Sequence, residues 1–290
     1  MTRWLIAGAS GMLGRDLQVE LASAGHEVTA LSHRDLDVTD ADAVQAAVRA
    51  SVGQHDVVVN AAAFTRVDDA EVEVDAATAV NATGAENLAA ASAAVGARFI
   101  QLSTDYVFDG RAREPYAEDA PLNPLSVYGR AKADGERLAR RAYPDGTIIL
   151  RTAWLYGAHG GNFVSAVLGL AARQDTVSVL TDQLGQPTWT VDLVQQILSV
   201  IRADVPAGIY HATNAGEASR FDFAREIFRL AGLDPDRVIP AAGGADVRPA
   251  PRPAYSVLGH EAWDRVGVAP MRPWQDALAA ASAAGVLTMS

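Results

Sequence analysis

Gly8-Ala9-Ser10-Gly11-Met12-Leu13-Gly14 follows the short apolar run 4–7, and the reading of this stretch decides the fold. In Gly8-x-x-Gly11-x-x-Gly14 the first glycine permits a tight turn. The second lets a pyrophosphate approach the backbone, and the third lets a helix pack closely on its strand. A helix beginning near Met12 would aim its free N–H groups, and those of Leu13 and Gly14, at the phosphates together with its positive dipole end. A glycine-rich turn alone could be mere packing. Its place after a strand, at the head of an alternating chain, favours a dinucleotide cradle.

Outward from the loop, short apolar runs at 4–7, 28–31, 57–59, 99–102 and 148–150 alternate with helical patterns such as the alanine-rich 41–52 and 76–95. Alternation of this kind implies βαβ units and a parallel sheet. The runs are continuously apolar, as expected where helices cover both faces. Asp40 stands at an N-cap position, and Gly25 and Gly96 follow helical runs as C′ residues. The expected fold is α/β, a Rossmann-type doubly wound parallel sheet with a smaller C-terminal substrate-binding lobe. Residues 1–150 are expected to form the NAD(P)-binding domain. Residues 151–290, with helices near 164–172, 191–201 and 221–231, are expected to form the lobe, partly interleaved with returning strands.

Composition narrows the class. A length of 290 residues suits one large core or one core with a small lobe. The 49% hydrophobic and 20% charged shares fit a compact enzyme. A net charge of -11 opposes encounter with nucleic acid or an anionic membrane. With no cysteine, disulfides, thiolate nucleophiles and cysteine-held metal centres are excluded. No run approaches the roughly 18 apolar residues of a membrane span, and the first residues show no leader pattern. The expected location is the cytoplasm.

The end of the second strand reads Ala30-Leu31-Ser32-His33-Arg34, with no acid until Asp35. An acid there would clasp the ribose 2′-hydroxyl, whereas a basic residue accommodates a 2′-phosphate. Arg34 therefore points to NADPH, with NADH as the alternative. Asp37 and Val38 are placed to line the adenine pocket.

Tyr128 and Lys132 lie four residues apart on a helix expected over 127–142, so both project from one face. A free tyrosine has a pKa near 10. A cation beside it would favour the phenolate and make the side chain a usable acid and base. Gln101-Leu102-Ser103-Thr104-Asp105 follows the fourth strand and reaches the carboxyl edge of the sheet, where ligands bind. Thr104 could offer its hydroxyl to a carbonyl beside Tyr128, forming a donor pair.

These residues resemble the extended short-chain dehydrogenase/reductase family, and within it the reductases of dTDP-4-keto sugars. The likeness spans nearly the whole chain. It is most specific at Val59-Asn60-Ala61-Ala62-Ala63-Phe64-Thr65-Arg66-Val67-Asp68, Ser103-Thr104-Asp105-Tyr106-Val107-Phe108, Arg151-Thr152-Ala153-Trp154, Asn162-Phe163 and Asp182-Gln183-x-Gly185-x-Pro187-Thr188. The resemblance implies that Tyr128 is the proton donor, Lys132 its activator and cofactor contact, and Thr104 the hydroxyl that polarises the carbonyl. Ala61, Ala62, Ala63 and Thr65 would line the cofactor. Asp105 and Trp154 would contact the sugar, followed by Asn162, Gln186 and Arg252, although Trp154 also reads as core. The implied reaction is hydride transfer from NADPH to the C4 carbonyl of a dTDP-4-keto-6-deoxyhexose, taking dTDP-4-dehydro-L-rhamnose to dTDP-L-rhamnose.

Two rivals stay open. An epimerase or dehydratase of the same fold would regenerate a tightly held cofactor, and such dehydratases place Asp-Glu after the threonine, where this chain has Asp105-Tyr106. A non-catalytic nucleotide-binding regulatory subunit is the other. Some relatives dimerise through Mg²⁺ held by acids, but no such cluster is identified, so no metal is expected, and the chain is expected to be a monomer or homodimer. The acidic run 68–75 reads as solvated helix-start charge. The six histidines lack ligand spacing. Ser10 does not match the Gly-x-Ser-x-Gly hydrolase turn.

Overall fold

The computed structural model describes residues 2–241 and 248–288. The first half alternates β1 (Arg3–Ala7), α1 (Met12–Ser23), β2 (Glu27–Leu31), α2 (Ala41–Ser51), β3 (Val57–Asn60), α3 (Val74–Thr78), α4 (Gly84–Val95), β4 (Arg98–Thr104), α5 (Val127–Ala142) and β5 (Thr147–Thr152). There follow β6 (Leu155–Tyr156), α6 (Phe163–Ala171), β7 (Val177–Leu180), β8 (Leu184–Gly185), β9 (Thr188–Trp189), α7 (Thr190–Arg202) and β10 (Gly208–His211). The chain closes with β11 (Ala218–Ser219), α8 (Arg220–Leu230), β12 (Val238–Ala241), α9 (Glu261–Val266) and α10 (Trp274–Ala283).

The main sheet has six strands in the order β2-β1-β3-β4-β5-β10, all paired in parallel. Chain order reverses at β1, with β2 on one side and β3 on the other. A crevice therefore opens beyond the carboxyl ends of β1 and β3. In register, Ala7 lies beside Leu31 and Asn60, and Thr104 lies beside Thr152. The glycine turn and Thr104 thus emerge at one edge of the sheet.

Successive residues of each strand feed opposite cores, which explains the unbroken apolar runs. Trp4, Ile6, Val57 and Val59 pack with Leu17 of α1, Ile197 of α7 and Trp263 of α9. Leu5, Ala7, Val58 and Phe99 pack with Val44 and Val48 of α2 and Leu88 of α4. A separate cluster unites α6, α8 and α10 through Val167, Phe223, Ile227 and Leu278. The strands β6 and β9, β7 and β12, and β8 and β11 form three small ribbons around it.

Asp40 caps α2 by accepting from Asp42 N and Ala43 N. Gly25 and Gly96 follow α1 and α4 with φ of +79° and +72°. Two details depart from the sequence reading. The helix expected over 76–95 is broken by a π turn at Ala79–Thr83, where Asn81 turns its amide onto the Phe64 backbone. The acidic run is also not simply solvated: Glu71 accepts from Val127 N at the start of α5, and Asp68 pairs with Arg252 at 2.8 Å.

Candidate active site

The cradle is built from close approaches that exclude side chains. Gly8 has φ +85°, and a Cβ there would stand 2.5 Å from Ala62 N, so the turn needs a residue with neither side chain nor steric bias. A Cβ on Gly14 would lie 2.4 Å from Gly8 O and 2.8 Å from Ala9 Cα, which is how tightly α1 meets its strand. On Gly11 a Cβ meets only Gly8 O, at 3.3 Å, apart from its chain neighbours. That side of the loop is open, and a side chain would fill it. Gly11 offers no side-chain cap to α1, so the N–H groups of Met12, Leu13 and Gly14 face outward as an anion cradle. These features fit the pyrophosphate of a dinucleotide.

Across the crevice, Ala61, Ala62 and Ala63 are partly buried and follow β3. Asn60 shapes this turn, accepting from Ala62 N at 3.1 Å and donating to Gln101 Oε1 at 2.8 Å. Thr65 is exposed. At the end of β2 the Asp35 carboxylate folds back onto Ser32, accepting from its N–H at 2.9 Å and its hydroxyl at 2.6 Å, and those bonds lower its pKa. Arg34 is left exposed beside it. Asp37 is drawn into its own turn by Thr39, and Val38 is buried against Gly84 beneath the loop.

The helix α5 runs over Val127–Ala142, capped by Ser126 onto Gly129 N. It holds Tyr128 partly buried, Lys132 buried, and Glu136 one turn further. Tyr128 meets Tyr106 edge to face at 5.8 Å. Burial pushes the phenol well above its ordinary pKa, the nearby Thr104 hydroxyl opposes this, and Asp105 and Tyr106 add to the rise. The sequence reading expected Lys132 to lower it. In this structure the ammonium is instead engaged with Leu102 O at 2.5 Å, and the phenol of Tyr128 is protonated.

Thr104 donates to Asp105 Oδ1 at 2.9 Å and accepts from Tyr106 N at 3.2 Å. Being a freely turning hydroxyl, it can redirect its proton to a carbonyl that approaches Tyr128. Trp154 stands behind with φ +45°, an uncommon backbone for a bulky residue. The guanidinium of Arg220 lies 3.5 Å over its ring and 5.0 Å over Phe163. Burial lowers Arg220 to about 10, while Tyr106 and Asp105 raise it.

The remaining expected substrate residues are committed to the fold. Asn162 caps α6, accepting from Val164 N and Ser165 N and donating to Gly157 O at 3.0 Å. Gln186 is buried and accepts from Leu258 N at 2.8 Å and Thr213 at 2.9 Å. Arg252 grips Asp68.

Sequence reasoning missed a buried charge system under α5. Arg151 of β5 donates to both Glu136 oxygens, at 2.9 and 2.8 Å, and to Glu118 O at 3.0 Å. Its other neighbour is His211, whose Nδ1 meets Gly259 O at 2.8 Å. Burial, with the adjacent Arg151 charge, lowers His211 to about 3, so the ring is neutral. A plain count held one further signal: of 24 cationic Lys and Arg residues, Lys132 is the single lysine.

A glycine turn at the switch point of a parallel sheet, faced by a Tyr–Lys helix over the same edge, defines an extended short-chain dehydrogenase/reductase. The family model for the RmlD substrate binding domain matches residues 2–286, and the chain belongs to that family. It is 51% identical to a probable dTDP-4,6-dihydroxy-2-methyloxan-3-one 4-ketoreductase of Streptomyces antibioticus, over 95% of this chain and 93% of that one. It is also 51% identical to the dTDP-4-dehydrorhamnose reductase of Streptomyces griseus, over 95% and 91%. The crystal structure of the Bacillus anthracis dTDP-4-dehydrorhamnose reductase in complex with NADP superposes with a TM-score of 0.90 at 36% identity, covering 96% of this chain and 98% of that one.

Proposed function

We propose that this chain is an NADPH-dependent reductase of a dTDP-4-keto-6-deoxyhexose, converting dTDP-4-dehydro-L-rhamnose to dTDP-L-rhamnose. The observation that carries the reading is that Thr104, at the carboxyl end of β4, shares one sheet edge with the α5 face of Tyr128 and Lys132, which Lys132 fastens to β4 through Leu102 O. NADPH, when bound, supplies the hydride to the carbonyl carbon.

The protein's part is orientation and proton delivery. Gly8, Gly11 and the start of α1 hold the pyrophosphate, and Arg34 meets the 2′-phosphate. Thr104 and Tyr128 hydrogen-bond the carbonyl oxygen, and the Tyr128 proton passes to that oxygen as it gains charge. Lys132 provides the nearby positive charge and contacts the nicotinamide ribose. Asp105 and Trp154 receive the sugar, and residues 151–290 act as the substrate lobe. Among the described residues no helix is long and apolar enough to cross a membrane. The reading places the enzyme in the cytoplasm as a monomer or homodimer.

Absorbance of NADPH and of NADH is followed with dTDP-4-dehydro-L-rhamnose, and the product sugar is identified by NMR. Oxidation of NADPH with formation of dTDP-L-rhamnose is expected. A tightly held NAD⁺ that survives purification, with no consumption of added NADPH, would replace this reading by the epimerase or dehydratase alternative. A relative from Streptomyces niveus, 48% identical, is named dTDP-4-keto-6-deoxy-D-glucose reductase. Turnover of that sugar with inertness toward the rhamnose precursor would keep the reductase and change the substrate.

A further inference from the structure

Lys132 is 4% exposed, and its hydrogen-bond partner is a neutral carbonyl, Leu102 O. A buried ammonium without a compensating charge tends to give up its proton. Burial lowers Lys132 to about 8, and Glu136 is the group that pushes it back up. The two lie four residues apart on one face of α5.

Glu136 is itself 3% exposed and fixed from two strands. Arg151 of β5 takes both carboxylate oxygens, and the Ser103 hydroxyl of β4 donates to Oε1. Three consecutive residues of β4 thereby serve one site. Leu102 O holds Lys132, Ser103 holds Glu136, and Thr104 faces the carbonyl position. Arg151 is in turn braced by Glu118 O and by the neutral His211 ring.

We propose that Glu136, gripped by Arg151 and Ser103, is the positioning residue that keeps the chain's one ammonium charged and locks α5 to β4 in the catalytic register. The inference rests on the reading of Lys132 as the site's cation. Among the described residues, Tyr128 and Glu136 of α5, Tyr106 and Asp105 beyond β4, Glu71 beside the start of α5, Arg151 of β5 and His211 of β10 are titratable or charged groups around this helix. Tyr128 and His211 are neutral near pH 7. The carboxylates of Asp105 and Glu136 are the negative groups here, and Glu136, held in place by Arg151, is the one a single turn from Lys132 on the same helix face.

A single lysine makes the test direct, because nitrogen-labelled lysine gives one side-chain signal. Its titration is followed by NMR in the full-length protein without added nucleotide, for wild type, Glu136→Gln and Glu136→Asp. The midpoint near 8 in the wild type is expected to fall by about one pH unit in Glu136→Gln. A merely structural loosening would admit water and move it up toward the ordinary lysine value.

Should Glu136→Gln fail to fold, Glu136→Asp retains the charge but draws it back by one methylene, and is expected to give a smaller fall. A midpoint equal to or above wild type in either folded variant overturns the proposal. The alkaline limb of turnover with NADPH is expected to shift in step. An NMR shift without movement of that limb supports the control of charge by Glu136 and counts against the catalytic reading of Lys132.

Discussion

The Thr104 hydroxyl donates to Asp105 Oδ1 across 2.9 Å, while Asp105 Oδ2 is sealed from solvent without a well-formed hydrogen bond among the described residues. Ser256 is close by, but its hydroxyl is aimed at Leu184 O. One carboxylate oxygen thus orients the Thr104 hydroxyl, and the other is held in the interior with its charge poorly compensated.

This arrangement costs stability. Burial raises Asp105 from 3.8 to about 6, against the opposing pull of Ser256, Thr104 and Arg220. A carboxyl with a raised folded pKa is penalised as pH climbs from 3.8 toward 6, fully so above that, and not at all below. Asp105→Asn is expected to stabilise the fold by up to about 3 kcal/mol near pH 8, with the gain fading near pH 4. Turnover is expected to fall with it. Urea midpoints at the two pH values check the first half, and steady-state rates check the second.

Tyr128→Phe removes the proton donor while leaving its ring against Tyr106. Turnover is expected to drop by roughly 10²–10⁴-fold, with the dissociation constant for NADPH nearly unchanged by fluorescence titration. Retention of wild-type turnover would end the assignment of the phenol.

Gly14→Ala forces a methyl group into Gly8 O and Ala9 Cα, both backbone atoms that cannot swing aside. A loss of about 1–3 kcal/mol in stability is expected. NADPH binding is expected to weaken too, because the displaced helix start no longer meets the phosphates. Chemical denaturation and calorimetric titration measure the two effects separately.

Acid should unfold the protein through two buried rings. Burial lowers His211 to about 3 and His260 to about 4, from 6.5. A histidine with a depressed folded pKa contributes stability that is complete above 6.5 and is lost as pH falls toward the folded value, because the unfolded chain takes up the proton first. The expected slope is about 1.4 kcal/mol per pH unit for each ring, offset in part by Asp105. Because Asp105 takes back about as much as one ring contributes, His260→Gln is expected to remove most of the net slope, read from denaturant midpoints between about pH 6 and pH 5.

Local chemistry made much of this molecule legible. The turn Gly8 to Gly14, the cap at Asp40 and the Tyr128–Lys132 face of α5 are each set within a few residues, and the structure places them as expected. What stayed hidden depends on distant partners. Glu136 and Arg151 are ordinary surface-type residues in sequence, and only the closure of α5 over β4 and β5 buries them together. Arg220 carries no signal of its own in the sequence, and only the fold lays it on Trp154. Asn162 carried a family resemblance, yet its side chain is a helix cap. The π turn at Asn81 follows from its hold on Phe64, seventeen positions away, which no periodicity reveals.

The single lysine has a practical corollary. Every surface cation is a guanidinium, so an amine-acylating reagent finds no ε-amine outside the crevice. Apart from the terminal amine, such a reagent can acylate an amine of this protein only by reaching the buried Lys132 on α5. Its rate of reaction then becomes a gauge of how far that crevice stands open, and how completely a nucleotide shuts it.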